Sequence, residues 1–66
     1  MTQEEMLWIA TKWFSKGYDI DDLRWSDDMY DHEDKTDEVL EYYFELKNIG
    51  KIAFYEKYKE FKLYRG

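Results

Sequence analysis

The sequence contains no cysteine and no proline, and only three of its 66 residues are glycine. Without cysteine, disulfide bridges and thiolate metal sites are excluded, although both commonly stabilise small domains. Without proline, and with only four Ile, one Val and three Thr, the chain favours helix over strand. No apolar run is long enough to span a membrane, and the start of the sequence shows no signal-peptide pattern. We therefore expect a cytoplasmic protein that is stabilised by packing or by a partner.

Aromatic residues are abundant, with 3 Trp, 7 Tyr and 4 Phe making up 21% of the chain. Large rings bury the most area per side chain, so they suit a chain that is too short for a large core. A hydrophobic fraction of 44% also argues against a disordered chain, although 39% of the residues are charged. We expect residues 1–66 to form one small domain with a narrow margin of stability.

The first helix is the clearest prediction. Thr2 followed by Glu5 is typical of a capping box, and Gly17 can adopt the left-handed conformation that ends a helix. We therefore expect the helix to end at residue 16 or 17. Apolar residues recur between these points at the spacing of one helical face: Met6, Ile9, Ala10, Trp13 and Phe14.

Weaker patterns predict further helices. Asp19 can cap a short helix that turns Ile20 and Leu23 inward, and Ser26 is a candidate for another helix start. Residues 31–38 hold five acids and no apolar residue, so we expect a solvated connection that leads to the next cap, Thr36. The helix that starts there has an apolar face made of Val39, Leu40, Tyr43 and Phe44.

The C-terminal third has two interpretations. The spacing of Ile52, Tyr55, Tyr58 and Phe61 favours helix, whereas alternation around Asn48–Gly50 is compatible with a β-hairpin. We predict an all-α domain of three to four short helices, with an α+β fold carrying that hairpin as the alternative. The expected core includes Ile9, Trp13, Leu40, Phe44 and Phe61.

Charge is unevenly distributed along the chain, whose net charge is −6. Residues 19–45, called the acidic region here, hold twelve acids against Arg24 and Lys35 and have a net charge of −10. Residues 47–66, the basic end, have a net charge of +4. The basic end is then a candidate partner for the acidic region, within one molecule or between molecules.

The inventory of catalytic and metal-binding side chains is small. The only serines are Ser15 and Ser26, the only histidine is His32, and no glycine-rich phosphate loop is present. Asp28 and His32 have the spacing of two metal ligands on a helix, with Asp31 adjacent, but a zinc site needs three or four protein ligands. We expect no enzymatic activity, no metal and no cofactor.

Residues 25–38, the contact stretch, combine carboxylates with large side chains. A dense row of carboxylates can imitate nucleic-acid phosphates in a basic cleft, and aromatic side chains often dominate binding energies. The alternative is that the rings complete the core and the acids form a solvated face. The predicted partner-binding residues are Trp25, Asp27, Asp28, Tyr30, Asp31, Glu33 and Asp34.

These features favour an inhibitor or regulator that binds a basic surface on a protein partner, as a nucleic-acid mimic. The composition resembles that of the compact acidic proteins by which phages inhibit host defence or nucleic-acid enzymes. One alternative is nucleic-acid binding through the basic end, where Tyr55, Tyr58 and Tyr64 alternate with cations. The net charge opposes that alternative, so we expect nucleic acid and membranes to be poor partners. Another alternative is a structural subunit that self-associates, for example as a homodimer.

Overall fold

The computed structural model describes residues 2–24 and 36–66, and within these ranges the fold is all-α. The four helices there are α1 (Gln3–Lys16), α2 (Ile20–Arg24), α3 (Thr36–Ile49) and α4 (Lys51–Lys57), and the same ranges contain no strand. The all-α prediction is confirmed. The predicted helix start at Ser26 lies outside the described residues.

Local capping fixes both ends of α1, as the sequence predicts. The Thr2 side chain accepts a hydrogen bond from the Glu5 amide at 3.1 Å, and Gly17 adopts a left-handed conformation with φ of 78°. The Gly17 and Tyr18 amides donate to carbonyl groups of the last turn, those of Phe14 and Trp13. Glu4 and Glu5 in the first turn and Lys16 in the last turn interact favourably with the helix dipole.

The core consists of two clusters that share α1. The first cluster joins α1 to α2 and α3, and the second joins α1 to α3, α4 and the C-terminal tail. Adjacent sides of α1 therefore enter the two clusters, and Phe14 packs against both, which is why this helix is apolar over a wide arc. The buried members of the first are Met6, Ile9, Ala10, Trp13, Leu23, Val39 and Tyr43, and those of the second are Leu7, Leu46, Phe54 and Leu63.

The hairpin alternative is wrong, because α3 continues through Asn48 to Ile49 and α4 begins at Lys51. Gly50 joins the two helices with φ of 89° and ψ of 159°, a region that is essentially restricted to glycine. Its amide donates to the Leu46 carbonyl at 2.9 Å, and its carbonyl accepts from the Phe54 amide at 3.0 Å. One residue thus closes α3 and opens α4.

The predicted core is only partly correct. Ile9 and Trp13 are buried, and Leu40 and Phe61 pack at the edges of the clusters, but Phe44 is 45% exposed. The inward stripe of α3 is Val39, Tyr43 and Leu46. Phe44 lies about 100° beyond Tyr43 around the helix, so it points away from α1.

Two isoleucines also differ from the prediction. Ile20 is 36% exposed although Leu23 of the same helix is buried. Ile52 is 83% exposed, because the two-turn helix α4 buries Phe54, which lies on the opposite side.

The C-terminal tail is not helical beyond Lys57, which shortens the predicted C-terminal helix. Leu63 is buried in the second cluster, and the Tyr64 amide donates to the Thr11 hydroxyl at 2.9 Å. Thr11 in turn donates to carbonyl groups of α1, so this buried hydroxyl is satisfied. Burial of Leu63 together with this hydrogen bond holds the tail on α1.

Candidate functional site

All seven predicted partner-binding residues, Trp25 to Asp34, lie outside the described residues. Their role in binding stays a prediction. The structure instead describes the helices on either side of them and the carboxylates that those helices carry.

The helices on either side of residues 25–35 pack in the same core cluster. Leu23, near the end of α2, and Val39, in the first turns of α3, are fully buried and pack in the first cluster. The Tyr43 hydroxyl donates a hydrogen bond to the Tyr18 carbonyl, which fastens α3 to the loop before α2. Burial, and secondarily the nearby charge of Asp19, raises the pKa of Tyr43, so this hydroxyl keeps its proton.

Carboxylates flank these residues on both sides and are exposed. Asp21 and Asp22 lie on α2, and Asp37, Glu38 and Glu41 lie on α3. Four of them are in the first turns of their helices, where a negative charge also stabilises the helix through its dipole. Glu41 is beyond the first turn, so the dipole does not account for it.

Among the acids of residues 19–24 and 36–45, Glu45 makes the shortest contact with the basic end. Its carboxylate accepts hydrogen bonds from Lys57 Nζ at 2.8 Å and from the Tyr58 hydroxyl at 2.6 Å. The hydrogen bonds from Lys57 and then Tyr58 hold the pKa of Glu45 below its ordinary value. The hydrogen bond to Glu45 also raises the pKa of Lys57. A longer ion pair of 3.9 Å joins Lys47 to Asp19.

Residues of the basic end lie on two separate surfaces. Lys57 and Tyr58 turn toward Glu45, whereas Tyr64 and Arg65 join residues of α1 and α4 to form a surface that we call the basic–aromatic face. Its members are Trp8, Lys12, Lys51, Tyr55, Tyr64 and Arg65.

Contacts between rings and cations make this face continuous. Lys12 Nζ lies 5.5 Å from the centre of the Trp8 ring. The Trp8 and Tyr64 rings make a T-shaped contact with a centroid distance of 5.0 Å. The Tyr55 hydroxyl donates to the Tyr64 carbonyl at 2.6 Å, and burial raises its pKa.

Lys51 and Arg65 each lie 5.7 Å from the centre of the Tyr55 ring. Each such cation–π contact stabilises by about 0.5–1 kcal/mol at exposed sites.

Sequence reasoning missed the contribution of α1 to this face. Trp8 falls outside the inward stripe of α1, and Lys12 follows it by four residues, which places the two side chains next to each other on a helix. That spacing was an available signal. The meeting of Trp8 with Tyr64, 56 positions later in the sequence, depends on how the tail folds.

Metal and membrane sites find no support in the part of the chain that the structure describes. Within residues 2–24 and 36–66, no group of three or more His, Cys, Asp or Glu side chains could hold a metal ion. Asp28, Asp31 and His32 lie outside those ranges. No helix among the described residues is both long and apolar enough to cross a membrane.

Comparison with known proteins finds no matching family model, no similar curated protein and no similar solved structure.

Proposed function

We propose that this protein is a non-enzymatic inhibitor or regulator that binds a basic surface on a partner protein through the contact stretch, residues 25–38. One observation carries the proposal. Exposed carboxylates stand on both sides of residues 25–35, and both flanking helices are anchored in one core cluster. The acids within those residues would extend this charge into one row.

Such a row suits a partner that normally binds nucleic acid. The binding cleft of such a partner holds cations at the spacing of phosphates. Exposed carboxylates attract those cations over about a Debye length, roughly 8 Å at physiological ionic strength. Trp25 and Tyr30 would supply buried anchors, since aromatic side chains at interface centres are worth about 2 kcal/mol or more each. The protein would then exclude nucleic acid from the cleft.

The alternative of nucleic-acid binding through the basic end is weaker, because two of its cations already have carboxylate partners. Lys57 is paired with Glu45, and Lys47 lies 3.9 Å from Asp19. A polyanion would also meet the net charge of −6.

The test begins with affinity capture from the native cell extract at low and raised salt, followed by association and dissociation rates with the captured partner. We compare two fourfold variants that change the net charge equally. The first carries Asn at Asp27, Asp28, Asp31 and Asp34. The matched control carries Gln at the exposed residues Glu4, Glu5, Glu56 and Glu60.

We expect the first variant to associate more slowly than the control and to have a flatter dependence of the rate on salt. Trp25→Ala and Tyr30→Ala should chiefly speed dissociation, once circular dichroism has shown that both variants stay folded. Nucleic acid should compete with the protein for the partner. If both fourfold variants bind as the parent does, with the same salt dependence, the acids are a solvated face and the proposal is wrong.

A further inference from the structure

The basic–aromatic face is unusual for an acidic protein, because its cations face rings rather than carboxylates. Lys12, Lys51 and Arg65 each lie over an aromatic ring, and none has a carboxylate partner within residues 2–24 and 36–66. The chain nevertheless holds 16 acids against 10 bases. Lys57 and Lys47 show that carboxylate partners are within reach of other cations.

Ring contacts hold the cations of this face in place without neutralising them. The stem of each side chain covers part of a ring, and its charged group stays available to an anion. Trp8, Tyr55 and Tyr64 are half-buried, so their positions are set by packing and by the Tyr55 hydrogen bond to the tail. The face is therefore a prearranged set of three positive charges on an apolar base.

An anion that fits this face must be short, because the rest of the molecule is negative. A long polyanion such as nucleic acid would extend over the acidic region and be repelled. A few carboxylates on another protein can meet three cations while the remaining acids stay beyond the Debye length. Carboxylates of this kind are present on the chain itself.

We propose that the basic–aromatic face binds the exposed carboxylates of α2 and α3, such as Asp21, Asp22, Asp37 and Glu41, on a second copy of this chain. Charge complementarity supports this occupant, since the exposed carboxylates of α2 and α3 lie in a region of net charge −10. Each copy carries both surfaces, so the contact can be made reciprocally. This inference does not depend on the proposed function. If both hold, self-association competes with the partner for the carboxylates.

Sedimentation velocity over a range of protein concentrations tests the proposal with the full chain. We expect association at 0.05 M salt that is lost at 1 M salt, where the Debye length falls to about 3 Å. Replacing Lys51 and Arg65 with Gln should weaken association at least tenfold. The matched control replaces Lys59 and Lys62 with Gln, since these exposed lysines make no ring contact within the described residues, and it should leave association within about twofold of the parent.

A charge exchange identifies the two surfaces. One variant carries Lys at Asp21 and Asp22, and the other carries Glu at Lys51 and Arg65. Each variant alone should stay monomeric, and an equal mixture should associate as the parent does. Circular dichroism establishes beforehand that both are folded.

Three results would each overturn the proposal. The parent could be monomeric at 0.05 M salt up to millimolar concentration. The control could weaken association as much as the Lys51 and Arg65 variant does. Association could also persist in 1 M salt and disappear in Phe44→Ser, which would indicate an apolar contact through that exposed ring.

Discussion

Phe44 and Phe54 are a matched pair for testing the packing of α3 and α4, because the same substitution should have unequal effects at the two positions. Phe54 is fully buried between Leu7, Leu46 and Leu63, whereas Phe44 is 45% exposed. Phe54→Ala removes a buried ring and leaves a cavity, which should cost about 3–5 kcal/mol. Phe44→Ala loses only part of the transfer free energy of the ring and leaves no closed cavity, so about 1 kcal/mol or less is expected.

These costs can be compared with the total stability. At about 0.05–0.15 kcal/mol per residue, a chain of this length has roughly 3–10 kcal/mol available. Phe54→Ala should therefore remove much or all of the stability, so that the cooperative unfolding transition weakens or disappears. Phe44→Ala should lower Tm by no more than about 4–8 °C.

Urea and thermal unfolding followed by circular dichroism measure both effects, and Phe54→Leu is a milder variant that should retain a transition. If both substitutions lower the free energy of unfolding equally, the orientation in which Phe54 is buried and Phe44 faces solvent is refuted.

Three further predictions concern charge, backbone conformation and nucleic acid. Glu45→Gln should cost under about 1 kcal/mol at pH 7, because its partner Lys57 is exposed. Since the pKa of Glu45 is lowered on folding, its carboxylate stabilises the protein fully above the unfolded pKa, and this contribution is lost as the pH falls below the ordinary value of 4.5 and through the lowered pKa of the folded state. Thermal unfolding of the parent and of Glu45→Gln should therefore converge at acid pH, and a constant difference down to pH 2 would contradict this assignment. Gly50→Ala should cost about 1–3 kcal/mol through the backbone alone, since a Cβ at this position would meet nothing within 4 Å. Asn should be tolerated better at Gly17, where the left-handed conformation suits it, than at Gly50. If both substitutions lower the free energy of unfolding in urea equally, these backbone conformations are wrong. Labelled single-stranded and duplex DNA should show no measurable anisotropy change near physiological salt, and micromolar binding that weakens when Lys59 and Lys62 are replaced by Gln would favour the basic end as a nucleic-acid site.

The start and end of α1 could be predicted from the sequence because they depend on neighbouring residues. Thr2 reaches the Glu5 amide within one turn, and Gly17 needs only its own lack of a side chain to end the helix. The inward stripe of α1 also follows from helical spacing. Because this helix packs against two clusters, its buried arc is wide, and a small error in the predicted direction of the apolar face still selects buried residues. For α3 the same spacing was right for Val39 and Tyr43 and wrong for Phe44. Tyr43 and Phe44 are both large aromatic residues, so only the positions of α1 and α4 decide which of them is buried.

The acidic region and the basic–aromatic face also combine features set by the sequence with features set by the fold. The sequence by itself determines the helical class, the absence of disulfides and the separation of charge into an acidic region and a basic end. Composition and local spacing are properties of the chain alone.

The tertiary structure decided that Glu45 pairs with Lys57 and that Trp8 meets Tyr64. It also decided that Gly50 turns one helix into the next rather than closing a hairpin. These outcomes depend on residues that are distant in sequence and compete for the same buried volume, which no local pattern can rank.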